Sequence, residues 1–231
     1  MGGTSVIENE TSTSTIINHL IINQKNLILM RLSWESGAPL ITLTSLTTFI
    51  MMKIGLLSDT HSFLDERVFE YFAACDEIWH AGDFGNEAVL DQLKAFKPLR
   101  GVYGNIDGAK IRAELPLDLR FECEGLPVFM THIGGYPGRY EPRVGKLLKE
   151  DPPVNGLFIS GHSHILKVIP DKTLGFLHIN PGACGNEGWH KVKTLIRFNI
   201  EQGRIFELQV IELGNKGIKK TKHEEDIIDG R

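Results

Sequence analysis

Sulfur is scarce in this chain, and what there is stands unpaired. The three cysteines, Cys75, Cys123 and Cys184, are odd in number, far apart and in no CxxC spacing. That argues against a disulfide framework or a thiolate metal site and reads as reduced thiols in a cytoplasmic protein. Positive charge is not in excess either: 25 Lys and Arg face 29 Asp and Glu, a net charge of −4. Such a balance exerts no long-range pull on nucleic acid or an anionic membrane, and there is no basic stripe for a long nucleic acid. A small phosphorylated substrate remains compatible, since it needs only local positive charge. No apolar run reaches the ~20 residues of a membrane helix. The most apolar stretch, "APLITLTSLTTFIMM", is shorter and diluted by threonine. No internal repeat is present.

What remains is an ordinary globular composition, 42% hydrophobic and 23% charged over 231 residues. It suffices for one sizeable domain with appendages. The first 50 residues stand apart, with five charged side chains and no clean period of 3.6 or 2. They lack the basic n-region and cleavage site of a signal peptide. We expect a poorly ordered N-terminal extension over 1–50, one domain over 51–213 and a loose tail over 214–231.

From Lys53 the pattern changes. "KIGLL" (53–57), "EIWHAGD" (77–83) and "LRGVYGN" (99–105) are short apolar strands that end in polar loops. Between them, 65–74 and 86–96 have apolar residues at helical spacing, with Asn86 placed to cap the second helix. This alternation predicts parallel βαβ units. Later segments, among them "PVFMTHI", "FLHIN", "KTLIRFNI" and "RIFELQVIEL", alternate at period two. They predict a second, more antiparallel sheet, with one more helix at 143–150.

The polar residues that follow the strands are not random loop polarity. Asp59 and His61 follow the first, Asp83 the second, and Asn105 and Asp107 the third. His132 and the pair His162 and His164, in "GHSH", follow later strands. Parallel strands place their C-terminal ends along one edge, where ligands bind. Two Asp, one Asn and four His, without sulfur, suit divalent manganese, iron, zinc, cobalt or nickel. Seven side chains are too many for one ion and about right for two that share a carboxylate and a water. Two dications, two aspartates and a hydroxide leave one net positive charge, which suits a phosphate. Two metals ~3.5–4 Å apart can acidify a water and clamp phosphoryl oxygens.

These motifs, "DTH" (59–61), "GD" (82–83), "GNID" (104–107), "TH" (131–132) and "GHSH" (161–164), resemble in identity and order those of the calcineurin-like metallophosphoesterase superfamily. The resemblance covers about residues 52 to 212. The compact length and "INPGA" (179–183) are similar to the small YfcE-type phosphodiesterase branch, which shares its fold with a retromer subunit. It implies an α/β fold, a two-sheet αββα sandwich in a single domain. It also implies a phosphodiesterase in which a hydroxide bridging two metals, manganese first among the candidates, attacks phosphorus. By motif, Asp59, His61 and His164 would hold one metal, Asn105, His132 and His162 the other, and Asp83 both. Asp83, Asn105 and Asp107 form the catalytic set, with Asp107 supporting its loop or orienting a ligand.

Two departures from the family pattern matter. Many members carry a histidine directly after the Asn as general acid, and the small branch often has cysteine there. This chain has Ile106, which donates no proton. General acid catalysis contributes ~10²–10⁴-fold, so acidic leaving groups should be preferred. The stretch "ACGNEGWH" (183–190) also replaces the usual one. Arg139, Arg143 and His190 are candidate substrate contacts, Arg because it suits oxyanions. The expected partner is a small phosphoester, with no long nucleic acid and no membrane, and self-association is left open. Two alternatives stand beside the phosphodiesterase: a non-catalytic protein-binding scaffold of the same fold, and a phosphomonoesterase or nucleotidase.

Overall fold

A computed structural model describes residues 51–216 in full and, before them, the backbone of three strands, Ile17–Asn23 (β1), Asn26–Glu35 (β2) and Ala38–Thr47 (β3). Where the sequence pattern predicts a poorly ordered extension, these three pair antiparallel in the order β1-β2-β3, Asn23 opposite Asn26 and Glu35 opposite Ala38. Their Ile, Leu and Thr content favours extended backbone. The other positions of 1–50, and 217–231 of the expected tail, lie outside the described residues.

Residues 51 onward form a unit of their own. Its first sheet is built on Met52–Leu57 (β4), Glu77–His80 (β5) and Leu99–Gly101 (β6), which run parallel in that order. Arg67–Phe72 (α1) and Glu87–Phe96 (α2) make the crossovers. Asn86 caps α2 as expected, accepting the N–H of Val89 at 3.1 Å. Gly135–Tyr136 (β9) and Arg139–Tyr140 (β10) pair only with each other, and five further strands make the second sheet. Its centre is Leu126–Thr131 (β8), Leu157–Ile159 (β11) and Phe176–Asn180 (β13), again parallel. Asp118–Cys123 (β7) and Lys167–Asp171 (β12) are its antiparallel edges.

This differs from the expected antiparallel second sheet. The long hairpin Val192–Glu201 (β14) and Arg204–Asn215 (β15) leaves that sheet and extends the first, β14 pairing antiparallel with β4. It also carries regular structure to Asn215, past the expected boundary at 213. Each sheet therefore has three parallel strands, at one end of the first and at the centre of the second, and period-two alternation alone cannot report which sheet a strand joins.

Strand alternation sorts the core into layers. Ile54 and Leu56 of β4, Val128 and Met130 of β8, and Leu157 and Ile159 of β11 share one buried cluster with Trp79 and Phe198, between the sheets. Leu57 and Ile78 pack instead with Val68 and Phe72 of α1 and Leu90 and Leu93 of α2. On the far face of the second sheet, Phe129 and Phe158 meet Val144 and Leu148 of Pro142–Glu150 (α4). Each such side chain contributes ~1.5–3 kcal/mol on burial. The result is the two-sheet αββα sandwich. Gly55 is required in it, because a Cβ there would lie 2.6 Å from the Phe72 ring. Among the described residues, no helix is long and apolar enough to cross a membrane.

Candidate metal centre

The loops after β4, β5, β6, β8 and β11 carry all seven predicted side chains, and backbone bonds knit the loops together. Asp59 N–H donates to Gly82 O at 2.9 Å, His61 N–H to Asp83 O at 3.0 Å and Gly161 N–H to His132 O at 2.9 Å. Asp59, His61, Asp83, His162 and His164 all have left-handed backbone, with φ between 48° and 66°. That conformation costs a non-glycine residue roughly 1–2 kcal/mol. Concentrated at one rim, it marks a place where side-chain direction outweighs stability.

The side chains fall into two groups, Asp59 with His61 and His164, and Asp83 with His132 and His162. Within the first, Asp59 Oδ1 lies 3.1 Å from His164 Nε2 and 3.9 Å from His61 Nε2. Asp83 lies between the groups: its Oδ2 is 3.2 Å from His132 Nε2 and 3.6 Å from His61 Nε2. Asn105 joins the second group, Oδ1 standing 3.2 Å from His132 Nε2.

The donors fit a pair of cations. His132 Nδ1 donates to Ala81 O at 2.8 Å and His164 Nδ1 to Glu187 O at 3.1 Å. In the neutral rings both Nε2 lone pairs then face carboxylate oxygens. Asp59 Oδ1 is buried without a hydrogen-bond donor. Acceptors converging on acceptors call for a positive charge among them. The titration of the rings points the same way. Burial opposes charge on His132 and His164, yet the Asp83 and Asp59 carboxylates outweigh it and hold both rings above the ordinary histidine range. Burial lowers His61 and His162.

Other polar groups hold this constellation in place. Asp107, expected to support its loop or orient a ligand, is engaged with backbone N–H groups. Its carboxylate accepts the backbone N–H of Gly104 at 2.7 Å, Gly85 at 2.8 Å and Asp83 at 3.1 Å, so it is a positioning residue that ties two loops together. Gly104 permits that approach, because a Cβ there would fall 2.0 Å from Asp83 Oδ1. His80 is buried and neutral, its pKa lowered to about 3 by desolvation. Its Nδ1 accepts Gly82 N–H at 3.1 Å, and its Nε2 lies 3.1 Å from Thr60 Oγ1. It therefore supports the loops from behind.

Two supports were not foreseen. Arg112, on the short helix Ala109–Glu114 (α3), donates to Asp107 O at 2.6 Å and to Asn105 O at 3.0 Å, fastening the "GNID" loop. Six residues carry too little periodicity to predict that helix. Asn180, in "INPGA", donates to Gly161 O at 2.7 Å and so holds the "GHSH" loop. Its place beside a Pro-Gly pair was the available signal.

Of the candidate substrate contacts, Arg143 is committed to Asp118, at 2.5 and 3.1 Å. Arg139 lines a cavity of about 380 Å³ with His162 and Lys167. His190 faces His164 instead of open space. Its Nε2 donates to Gly185 O at 3.0 Å, which leaves Nδ1 to accept from His164 Nδ1–H at 3.3 Å.

Residues 52–203 match the family model of the calcineurin-like phosphoesterase superfamily domain. The chain is 33% identical over 139 residues to a probable metallophosphoesterase of Methanothermobacter thermautotrophicus, covering 57% of this chain and 77% of that protein. It is 29% identical over 154 residues to a phosphodiesterase of Methanocaldococcus jannaschii, covering 58% of this chain and 84% of that protein. Among solved structures it resembles a Thermotoga maritima protein determined by NMR, with TM-score 0.55 and 21% identity over 70% of this chain and 99% of that one. A Vps29 single mutant from Entamoeba histolytica gives TM-score 0.53 and 12% identity over 71% and 100%, a likeness of fold.

Proposed function

The chain belongs to the calcineurin-like phosphoesterase superfamily, and we propose that within it this protein is a phosphodiesterase of small substrates, working with two divalent cations, manganese first. The observation that carries this reading is the position of Asp83 between two His and Asp groups, 3.2 Å from one ring and 3.6 Å from another. Asp59, His61 and His164 hold one cation; Asn105, His132 and His162 hold the other; Asp83 serves both. Two cations so held supply a nucleophilic water at neutral pH and neutralise charge on the phosphoryl oxygens.

The chain's own residues do the rest. Asp59 and Asp83 leave the centre with a net positive charge that attracts a phosphate anion. The exposed Asn105 presents its amide at the mouth. Ile106 supplies no proton to the departing oxygen, so esters of acidic alcohols are cleaved best. Alkyl monoesters are poor substrates for the same reason.

The test is hydrolysis by chelator-stripped protein reloaded with Mn²⁺, with bis(p-nitrophenyl) phosphate and p-nitrophenyl phosphate in parallel. Faster diester turnover is expected. Dominant monoester turnover would make the protein a phosphomonoesterase. Protein that binds no divalent metal and cleaves neither ester would leave only the scaffold.

His190 enters this reading as a positioning residue. Together with Glu187 O, which shares the same His164 Nδ1–H, it holds the tautomer that presents Nε2 to the centre, and a lost partner of this kind weakens metal binding ~10–100-fold. His190→Ala should show that loss in a Mn²⁺ titration. His190→Gln, which can accept at one atom and donate at the other, should recover part of it. Unchanged affinity in His190→Ala would remove the role.

A further inference from the structure

A cavity of about 310 Å³ opens beside Asn105 and His132, with Tyr103, Leu117 and Ile133 on its walls. Its charged neighbours are already occupied. Arg112 donates to the carbonyls of Asp107, Gly104 and Asn105, and lies 4.6 Å from the Tyr103 ring centroid. Arg143 is paired with Asp118. Glu141 caps α4 by accepting Val144 N–H at 2.9 Å. Beside these paired groups, the larger part of what the cavity offers a ligand is apolar surface, from Tyr103, Leu117 and Ile133.

That surface stays exposed at some cost. Leu117 is 43% exposed, Ile106 43% and Ile133 38%. Ile106 directly follows Asn105, and Ile133 directly follows His132. Folding alone gives no reason to place large aliphatic side chains at the mouth of a polar centre, and clustered exposed apolar groups mark binding surfaces. The cavity that touches His162 carries two cationic side chains as well, Arg139 and Lys167, and Ile133 lines both cavities.

We infer that the cavity of Tyr103, Leu117 and Ile133 is a subsite for an uncharged, apolar ester group of the substrate. This rests on the phosphodiesterase reading and deepens it. The substrate class is a phosphodiester with one aromatic ring or a short alkyl chain. The volume suits such a group, since an apolar cavity of about 150 Å³ already accepts benzene. Leu117 and Ile133 are its specificity-determining residues.

The test uses full-length Mn²⁺-loaded protein and two probes, methylphosphonate and phenylphosphonate, titrated calorimetrically, with bis(p-nitrophenyl) phosphate turnover measured alongside. Phenylphosphonate is expected to bind at least ~10-fold tighter, the scale of burying a few apolar carbons. Leu117→Asp should erase that preference, read as the ratio of the two phosphonate affinities so that the effect of the new charge on both cancels. Equal affinities in a protein that turns over the diester would overturn the subsite and leave the phosphodiesterase standing. A preference that survives Leu117→Asp would overturn the assignment to this cavity. Absence of both phosphonate binding and turnover would overturn the subsite together with the reading beneath it.

Discussion

Asp83→Asn is expected to lower kcat/KM for bis(p-nitrophenyl) phosphate by ~10²–10³-fold or more, the scale seen when one stabilising group at a reacting centre is lost. The substitution keeps shape and removes charge. Asp83 Oδ1 accepts the N–H of Ile106 at 3.1 Å, a bond an amide oxygen also makes. The loop should therefore survive. What changes is Oδ2, which lies near His132 Nε2 on one side and His61 Nε2 on the other. An amide there places an NH₂ group, a donor, where both cations need an anion. Metal stoichiometry should fall below two, as measured by elemental analysis after dialysis against limiting Mn²⁺. The metal-free protein should melt at the same temperature or slightly lower, because burial opposes the Asp83 charge but His132 and the Ile106 N–H outweigh it and hold the carboxyl below its ordinary range, support that a neutral amide gives up in part. A variant retaining two metals and most of its turnover would refute the shared role of Asp83.

Ile106→His is the second large effect, and it is a gain. Ile106 is 43% exposed, so replacing it disturbs little packing. Its backbone is held to Asp83, which keeps position 106 next to the centre. A histidine there can protonate the departing alkoxide, a contribution of ~10²-fold or more when the geometry is productive. The benefit should be selective. Esters of poorly acidic alcohols should gain most, and nitrophenyl esters little, because their leaving groups need no proton. The measurement is log kcat against leaving-group pKa for a series of aryl and alkyl diesters. A flatter slope in the variant is the expected result. An unchanged slope would mean that the missing proton donor is not what limits alkyl esters.

Much of this centre was legible before any coordinates. Short apolar runs ending in "SDTH", "AGD" and "GHSH" report both the strand and the loop that follows it, because a buried parallel strand is apolar throughout and its end meets solvent. The Asn86 cap is a local matter between a side chain and an N–H three residues on, and local chemistry can be read from sequence. Ile106 was legible as the absence of a proton donor, since that depends on residue type alone.

The partner each polar group chooses was not legible. Asp107 ties its loop to Gly85, 22 residues away, which brings an N–H to it. Arg143, a candidate substrate contact by sequence, pairs with Asp118, 25 residues away. His190, another such candidate, stands against His164, 26 residues away. Period-two alternation showed that β14 and β15 were strands but not that they flank β4, since a strand's two faces look the same in either sheet. The sequence by itself determined which chemical groups exist and which strand ends present them. Only the tertiary structure decided how closely they approach, with His61 and His164 brought to 3.2 Å across 103 residues. That approach follows from packing two sheets face to face, a contact between distant segments that local pattern does not encode.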